Sequence, residues 1–330
     1  MKTYSPVNDR YEASTMTFRR CGKSGLVLPA LSLGFWWNFG GIDPLEQSRE
    51  KMFYAFDHGI FCFDLANNYG PPYGSAEETF GIIYEKNFKP YRHEMVVTTK
   101  AGYDMWEGPN GRNSSRKMLL TSLDESLQRM KLDYVDIFYS HRYDGITPIE
   151  ETMQALADAV RQGKALYVGL SNYPIDKLKE ALECLERLNA PAIIYQGRHN
   201  MFAREVEKEI LPFLNKNGIG FTPFSPLAKG LLSDKYLNGI PADSRAALHK
   251  HFDTNDLSTS TIDKLRKLDT IAKERGQSLA QMAVSWLLAQ NGVTSVIIGP
   301  RTMTQLTDSI PSVFNSSFSD EEIALINQII

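Results

Sequence analysis

Short apolar segments alternate with amphipathic segments along most of this chain, and the alternation repeats eight times. The amphipathic segments carry apolar residues three and four positions apart, which is the spacing of one helix face. The apolar segments are short and almost free of charge, as the strands of a buried parallel sheet are. We therefore predict an α/β fold in which the sheet closes into a (β/α)8, or TIM, barrel. The predicted strands are LSLG at Leu31, FCF at Phe61, MVVTT at Met95, YVDIFYS at Tyr134, ALYVGL at Ala165, AIIYQ at Ala192, GIGFTPF at Gly218 and SVIIG at Ser295.

Capping residues and glycines mark the ends of the predicted helices. The predicted helices are EQSREKMFYAFDHG, SAEETFGIIYEK, SRKMLLTSLDESLQRM, IEETMQALADAVRQG, IDKLKEALECLERL, REVEKEILPFLNKNG and, near the C-terminus, FSDEEIALINQII. The predicted starts are Asp43 with Pro44, Ser75, Ser115, Thr147 with Pro148, and Ser319, and the predicted ends include Gly59, Gly163 and Gly218.

Two segments lie outside the regular repeat. The segment TFRRCGKSGLVLPALSLG predicts two short strands around a Gly-Lys-Ser-Gly turn, a β-hairpin that closes the bottom of the barrel. About 70 residues separate the seventh strand from the eighth, more than one βα unit needs, so we expect a long loop over 231–258 followed by two helices. Residues 1–330 are predicted to form a single barrel domain.

An open doubly wound sheet is the main alternative fold. Its dinucleotide site requires the motif GxGxxG after the first strand, and that motif is absent. Gly218 and Gly220 are followed by Pro223 where the third glycine would stand. Gly22 begins a Gly-Lys-Ser sequence, but Thr17 occupies the position of the leading glycine of a P-loop. Both segments are interpreted as turns.

Charge and cysteine content exclude several classes of protein. A formal net charge of −3 and a pI near 6.1 do not show the excess positive charge typical of proteins that bind nucleic acid or an anionic membrane. No apolar run approaches the roughly 20 residues of a membrane span, and the N-terminal segment lacks the apolar core of a secretion signal. Cys21, Cys62 and Cys184 lie far apart and indicate neither disulfides nor a thiolate metal site. We expect a soluble protein of the reducing cytoplasm.

Polar residues stand at the ends of three consecutive predicted strands. The second strand ends on Asp64, with Tyr69 in the loop that follows; the third ends on Lys100 and the fourth on His141. In a barrel these ends meet at one face, where active sites lie. An ammonium stabilises the phenolate of a nearby tyrosine, and an ammonium in a half-buried site needs a counter-ion such as Asp64. The set fits proton delivery to an oxygen that becomes negative, with His141 as a hydrogen-bonding or proton-relay group.

The later strand ends fit a nucleotide. Ser171, Asn172 and Gln196 offer hydroxyl and amide groups suited to a carboxamide, and Phe224 offers a flat face on which a nicotinamide ring could stack. After the eighth strand, Gly299 permits close backbone approach and Arg301 is suited to a phosphate. Lys235 and Arg245 add positive charge in the long loop.

Six motifs resemble, in order and spacing, those of the aldo-keto reductase superfamily: DLANNYG, VVTTKAGY, DIFYSHR, GLSNY, FSPLAKGLL and IIGPRTMTQL. The segments GPPYGSAEETFG, KAGYDMWEGPNG and SRKMLLTSLDESLQRMKLDYVDIFYSHR resemble the branch that contains bacterial L-glyceraldehyde 3-phosphate reductase and the potassium-channel β-subunits. The resemblance covers nearly the whole chain.

This resemblance implies a barrel that binds NADPH without a Rossmann motif. It implies a catalytic tetrad of Asp64, Tyr69, Lys100 and His141, with Tyr69 as the general acid. Channel β-subunits carry asparagine where this chain has His141, which places the chain with the enzymes. Asp308 and Ser309 replace the Glu and Asn common in the family. The implied cofactor contacts are Trp36, Asp64, Ser171, Asn172, Gln196, Phe224, Ser225, Pro226, Leu227, Lys229, Lys235, Arg245, Gly299, Arg301, Gln305, Asp308 and Ser309.

The predicted function is NADPH-dependent reduction of small aldehydes, with L-glyceraldehyde 3-phosphate and methylglyoxal-like compounds as the leading substrates by resemblance. The residues predicted to line the substrate pocket are Trp36, Tyr69, Trp106, His141 and Arg142. Arg142 and Arg198 both follow strand ends, where a guanidinium is able to hold a substrate phosphate. His249 and His251 have no third ligand nearby, so no metal is predicted.

Two other functions are compatible with such a barrel. One is a redox-sensing regulatory subunit that binds NADPH and docks on a membrane protein; against it stand His141 and an N-terminal extension of only about 15 residues, too short for a long regulatory arm. The other is a barrel isomerase, which requires a phosphate-binding glycine pair where this chain has GPRTMTQL. The resemblance also implies a homo-oligomer, a tetramer or larger.

Overall fold

A computed structural model describes residues 4–237, 239 and 257–330 of the chain. Residues 18–29 form an antiparallel hairpin of β1 (Phe18–Arg20) and β2 (Val27–Pro29), and an eight-stranded parallel sheet follows. The sheet strands are β3 (Leu31–Gly34), β4 (Cys62–Asp64), β5 (Val96–Ala101), β6 (Val135–Ser140), β7 (Ala165–Ser171), β8 (Ala192–Arg198), β9 (Gly220–Phe224) and β10 (Val296–Ile298).

Helices connect successive strands and cover the outside of the sheet. The α-helices are α1 (Leu45–Asp57), α2 (Ser75–Ile83), α3 (Arg116–Met130), α4 (Ile149–Arg161), α5 (Ile175–Arg187), α6 (Ile210–Asn217), α7 (Thr259–Glu274), α8 (Leu279–Ala289), α9 (Met303–Ser309) and α10 (Asp320–Ile329). A π-helical turn, Tyr84–Phe88, extends α2, and the 3-10 segments are Lys89–Glu94, Glu205–Glu207, Ala228–Gly230, Asp234–Tyr236 and Ile310–Val313.

The strand order shows a nearly closed barrel. Each sheet strand lies parallel to its neighbours in the order β10-β3-β4-β5-β6-β7-β8-β9. Between the two outer strands, Phe221 forms a parallel bridge with Val293, and the Thr294 N–H donates to the Phe221 carbonyl at 2.7 Å. Every residue of β3, β4, β5 and β6 is buried, as expected of strands with side chains on both faces covered. The (β/α)8 prediction is confirmed.

The hairpin closes the bottom of the barrel, as its sequence predicts. The Lys23 N–H donates to the carbonyl of Gly218 at 2.7 Å. Gly22 has φ +54°, and a Cβ there would lie 2.1 Å from the same oxygen, so only glycine fits this contact. Cys21 and Leu28 then pack with the barrel residue Ile137 in one apolar cluster.

Several local predictions were wrong in their boundaries. Gly74, rather than Ser75, caps α2, because the Ser75 hydroxyl bonds within the preceding loop. Of the predicted pair Thr147 and Pro148, Pro148 is the N-cap of α4, and the Thr147 hydroxyl bonds to Asp144. Ser115 and Ser319 cap α3 and α10 as predicted. The segment REVEKEILPFLNKNG is a 3-10 turn followed by α6 rather than one continuous helix, and β5 extends one residue beyond Lys100.

The predicted long loop lies only partly within the described residues. Asp234–Tyr236 forms a short 3-10 helix, and α7 and α8 are the two helices expected before the last strand. Arg245, His249 and His251 lie outside the described residues. Within 4–237 and 257–330, the helices are all too short or too polar to span a lipid bilayer.

Gly81 tests the packing of α2 on α3. A Cβ at this position would lie 2.0 Å from the Arg129 carbonyl oxygen. In an isolated helix, alanine is more favourable than glycine. Here the added methyl group would force α2 and α3 apart, so we expect Gly81→Ala to destabilise the protein by about 1–3 kcal/mol. Thermal unfolding followed by circular dichroism measures the change. Gly25→Ala is the control, since nothing lies within 4 Å of a Cβ there. An unchanged or raised Tm for Gly81→Ala would contradict this packing.

Candidate active site

A buried ion pair joins β4 to β5 at the C-terminal end of the barrel. The fully buried Lys100 donates from Nζ to Asp64 Oδ2 and to the Leu65 carbonyl, both at 2.7 Å. Asp64 is paired in register with Thr98, and Thr98 and Lys100 lie two residues apart, so both face the barrel interior. Because side chains alternate along β5, the Thr98 hydroxyl and the Lys100 ammonium both reach the Asp64 carboxylate.

The second oxygen of Asp64 is also fully engaged. Oδ1 accepts from Thr98 Oγ1 at 2.7 Å and from Gln196 Nε2 at 3.0 Å. Gln196 lies on β8, so its hydrogen bond crosses the barrel interior. Burial lowers the pKa of Lys100, while the charge of Asp64 opposes that shift. These contacts stabilise two charges where water is excluded.

Tyr69 lies above this pair in the loop after β4. Its side chain is only 8% exposed, and its hydroxyl lies 3.5 Å from Lys100 Nζ, at the outer limit of a hydrogen bond. Burial raises the pKa of Tyr69 well above 10.0, and the charge of Asp64 raises it further. Lys100 lies beside the phenol oxygen, where an ammonium is able to stabilise a phenolate, and burial sets the direction of the pKa shift. Tyr69 is therefore a protonated phenol at neutral pH.

His141 follows β6 and completes the group. It is 7% exposed, and its backbone N–H donates to the Ala101 carbonyl at 2.9 Å. Burial, Lys100 and Arg142 hold its pKa well below 6.5, so the imidazole is neutral. Its Nδ1 is buried without a hydrogen-bond partner among the described residues. An unpaired buried nitrogen is best tolerated as a bare acceptor, which places the ring proton on Nε2.

The four predicted tetrad residues are thus brought together. The ring centroids of Tyr69 and His141 lie 5.9 Å apart, and Nζ of Lys100 lies 5.0 Å from the Tyr69 ring. The arrangement offers one phenolic O–H and one neutral imidazole beside a buried ammonium. It is able to donate a proton to an oxygen while negative charge develops there.

Predicted cofactor residues on β7 and β8 lie next to this group. Asn172 has φ +55°, and its Nδ2 donates to the His141 carbonyl at 3.1 Å and to Ser171 Oγ at 3.0 Å. Gln196 was predicted to bind a carboxamide, and its hydrogen bond to Asp64 uses one of its two amide N–H groups. These side chains are held in place by the tetrad itself.

The loop after β9 carries unusual backbone strain. Ser225, Ala228 and Lys229 all have positive φ, at 56°, 46° and 61°. Asn200 holds the loop by donating from Nδ2 to the Ser225 carbonyl at 2.9 Å. Such conformations cost about 1–3 kcal/mol each and are concentrated at binding sites. Pro226 and Leu227 belong to this same loop, and Phe224 is the last residue of β9 before it.

The predicted residues after β10 have intramolecular partners. Gln305 is the third residue of a capping box at the start of α9, and its side-chain oxygen accepts from the Arg301 N–H at 2.8 Å. Asp308 accepts from Ser278 Oγ at 2.9 Å, which ties α9 to α8, and Ser309 Oγ donates to the Gln305 carbonyl. Their contacts to a cofactor stay predictions. Gly299 is exposed, with open space around an added Cβ.

Comparison with known proteins decides the family. The model of the aldo/keto reductase family matches residues 30–330. The chain belongs to the aldo/keto reductase family. Two L-glyceraldehyde 3-phosphate reductases from strains of Escherichia coli are each 52% identical over 320 residues, which is 95% of this chain and 92% of each relative. A probable voltage-gated potassium channel subunit beta from Arabidopsis thaliana is 38% identical over 306 residues, or 90% of this chain and 91% of that protein.

These comparisons confirm both the predicted superfamily and the predicted branch. Membership in the aldo/keto reductase family, together with relatives named as reductases, supports an oxidoreductase. Among residues 4–237 and 257–330 of this aldo/keto reductase, no cluster of three His, Cys, Asp or Glu side chains is arranged to hold a metal ion.

Three of the residues predicted to line the substrate pocket lie in loops after β3, β5 and β6 of the aldo/keto reductase barrel. Trp36 is 45% exposed and meets Trp37 edge-on at 5.9 Å. Trp106 is partly buried beside Gly111, whose added Cβ would lie 2.0 Å from the Trp106 carbonyl oxygen. Arg142 stacks on the Tyr103 ring at 4.5 Å.

Sequence reasoning missed two supporting residues, Thr98 and Glu77. Thr98 donates a hydrogen bond to Asp64. Tyr103, which the sequence offers as a residue of the pocket wall, meets the His141 ring edge-on at 4.6 Å. Glu77 is fully buried in α2, accepting from Thr99 Oγ1 at 2.6 Å and from Arg129 Nε at 2.9 Å. The sequence could have indicated Thr98, because side chains alternate along a strand and Thr98 lies two residues before Lys100, on the same inward face. The contacts of Glu77 cross between elements and leave no local sequence signal.

Substitutions at Asp64 and Lys100 test the buried pair. Asp64→Asn leaves the ammonium without its counter-ion, so we expect it to destabilise the protein by about 3–5 kcal/mol. Adding Lys100→Met removes the ammonium that Asp64→Asn leaves without a counter-ion. The loss in the free energy of unfolding should therefore be smaller for the double variant than the sum of the losses for the two single variants. Chemical denaturation of the parent and the three variants measures this double-mutant cycle. Additive losses would contradict a direct ion pair.

Proposed function

We propose that this protein reduces small aldehydes to alcohols with NADPH, and that Tyr69 is the general acid. The observation that carries this proposal is a buried, protonated phenol placed between a buried ammonium and a neutral imidazole. Family membership and reductase relatives support the oxidoreductase class.

Proton delivery follows from the surroundings of Tyr69. Burial keeps the phenol protonated, so the proton is present when a carbonyl oxygen begins to gain negative charge. Lys100, 3.5 Å from the phenol oxygen, stabilises the phenolate that remains after transfer. Asp64 keeps that ammonium charged despite complete burial. The three residues therefore act as one proton-donating unit.

His141 positions the carbonyl group. With Nδ1 buried and unpaired, Nε2–H is the donor available to a substrate oxygen. Its low pKa keeps it neutral across the physiological range, so it orients the oxygen by a hydrogen bond and does not compete with Tyr69 as the acid. A neutral donor also avoids placing a second full positive charge beside Lys100.

The residues present fit a nicotinamide cofactor. When bound, NADPH supplies the hydride that adds to the carbonyl carbon. The strained loop from Phe224 to Lys229 presents a preformed backbone, and the cations Lys229, Lys235 and Arg301 are suited to its phosphates. Preference for NADPH over NADH is assigned to Arg301, with Gln305 and Lys235 nearby. The further contacts proposed are Trp36, Asp64, Ser171, Asn172, Gln196, Ser225, Pro226, Leu227, Arg245, Gly299, Asp308 and Ser309.

Small aldehydes are the substrate class, with L-glyceraldehyde 3-phosphate and methylglyoxal-like compounds as the first to test. The first of these is the substrate in the names of two relatives, each 52% identical to this chain. Trp36, Trp106 and Arg142 are proposed to line the pocket beside Tyr69 and His141. A cytoplasmic location and a homo-oligomeric assembly also stay predictions.

A regulatory subunit is the second candidate function. Its support is the 38% identity to a probable voltage-gated potassium channel subunit beta. Such a protein would bind NADPH with little turnover. A complete buried tetrad that includes His141 favours the enzyme.

Replacement of Tyr69 by phenylalanine tests the general acid. We expect Tyr69→Phe to lower kcat for L-glyceraldehyde 3-phosphate and methylglyoxal by about 10²-fold to 10⁴-fold, because the proton donor is lost. NADPH oxidation at 340 nm measures turnover, and quenching of intrinsic fluorescence by NADPH measures binding. Tyr73→Phe is the matched control, since Tyr73 lies in the same loop but is 57% exposed.

Two outcomes would contradict this proposal. Tyr69→Phe turnover within about 3-fold of the parent would exclude Tyr69 as the acid. Tight NADPH binding by the parent with negligible turnover of a broad panel of aldehydes would favour the regulatory function. The same assay with NADH in place of NADPH measures the cofactor preference.

A further inference from the structure

Arg142 is held rigidly at the rim of the site. Its Nε donates to the Gly102 carbonyl at 3.0 Å and one terminal nitrogen donates to the Arg112 carbonyl at 3.1 Å. The guanidinium also stacks on the Tyr103 ring, 4.5 Å from its centroid. The backbone is fixed as well, since the Arg142 carbonyl accepts from Ser114 Oγ at 3.2 Å. This side chain is therefore preorganised rather than a freely solvated arginine.

The charge of Arg142 has no compensating partner among its contacts. Its contacts within the described residues are two neutral carbonyls and one aromatic ring. A guanidinium carries five N–H groups, so these two hydrogen bonds leave the others available. Joining two loop carbonyls requires donors but not a charge, and a partly buried charge without a counter-ion is costly. The arrangement fits an anion that binds from solution.

Arg142 also lies close to the reacting groups. It follows His141 directly, and Tyr103 contacts both residues, with its ring 4.6 Å from the imidazole. The charge of Arg142 contributes to the low pKa of His141, which requires proximity. An anion on Arg142 would therefore be near a carbonyl held by His141 and Tyr69.

The barrel order separates this anion from the cofactor phosphates. Arg142 follows β6, whereas Lys229 follows β9 and Arg301 follows β10. In the order β10-β3-β4-β5-β6, four steps around an eight-stranded barrel place β6 opposite β10. Arg301 therefore follows the strand opposite that of Arg142, and Lys229 follows a strand three steps away. An anion at Arg142 would thus be separate from the proposed sites of the cofactor phosphates.

We propose that Arg142 is a specificity-determining residue that binds the phosphate of a phosphorylated aldehyde. This inference rests on the proposed aldehyde reduction at the same site. A planar guanidinium matches a phosphate with paired hydrogen bonds. In a triose phosphate such as L-glyceraldehyde 3-phosphate, two carbons and one ester oxygen separate the aldehyde from the phosphorus. That short span matches an arginine adjacent in sequence to the carbonyl-binding histidine.

Two aldehydes that differ only in the phosphate test this proposal. L-glyceraldehyde 3-phosphate and L-glyceraldehyde are compared as substrates of the parent, Arg142→Gln and Arg142→Lys. We expect Arg142→Gln to lower the ratio of their kcat/KM values by about 30-fold or more, mostly through KM for the phosphate ester. Arg142→Lys should recover part of the ratio, since it keeps the charge but not the planar fork.

Arg198 provides the matched control. It is the last residue of a barrel strand, β8, but its side chain is exposed and faces Glu205 at 4.0 Å. Arg198→Gln should leave the ratio unchanged. An unchanged ratio in Arg142→Gln would overturn the proposal, whether both aldehydes lose activity equally or neither does. A purely structural role for Arg142 predicts that result.

Calorimetry with glycerol 3-phosphate separates this inference from the proposed function. This probe is the alcohol that reduction of L-glyceraldehyde 3-phosphate would give, and it does not turn over when oxidised cofactor is left out. It should bind the parent and bind Arg142→Gln at least about 10-fold more weakly, with glycerol as the uncharged control. A parent that binds the probe through Arg142 yet reduces no aldehyde would contradict the proposed function and support the phosphate site. Equal binding of the probe by parent and Arg142→Gln, or none by the parent, would overturn the phosphate site.

Discussion

The buried ion pair between Asp64 and Lys100 is the constraint on which the rest of the site depends. A positive charge with no exposed surface requires a counter-ion and further acceptors, which Asp64 and the Leu65 carbonyl supply to Lys100. Asp64 uses both oxygens, toward Lys100 and Thr98 from β5 and toward Gln196 from β8. One carboxylate on β4 therefore fixes side chains from two other strands, and the parallel barrel is the architecture that brings these strand ends together.

The same burial determines the chemistry above the pair. Tyr69 and His141 lose hydration, which raises the pKa of the phenol and lowers that of the imidazole, so both are neutral at physiological pH. Two neutral donors beside one ammonium form an environment that becomes more favourable as an oxygen gains negative charge. Arg142 adjoins this group, because its guanidinium lies over the Tyr103 ring, which also contacts His141.

Much of this arrangement follows from sequence because it depends on periodicity. The eightfold alternation predicts the barrel, and strand ends that converge on one face place Asp64, Lys100 and His141 together. The orientation of side chains and their hydrogen-bond partners depend on packing, so the sequence does not predict them. Gln196 donates one amide hydrogen to Asp64. At Tyr69, burial has the largest effect on the pKa of the phenol. The Ser75 hydroxyl likewise joins two loops instead of capping its helix, since its partner Gly41 is distant in sequence.

The central claim is that burial keeps Tyr69 protonated and ready to donate. The most direct test is a pH titration of protein labelled with ¹³C at the tyrosine Cζ atoms, with the Tyr69 resonance assigned by its absence in Tyr69→Phe. The structure predicts that this resonance keeps its phenol position past pH 10, the ordinary value for tyrosine. Ionisation of Tyr69 below pH 10 would contradict the account, since it would mean that Lys100 outweighs desolvation.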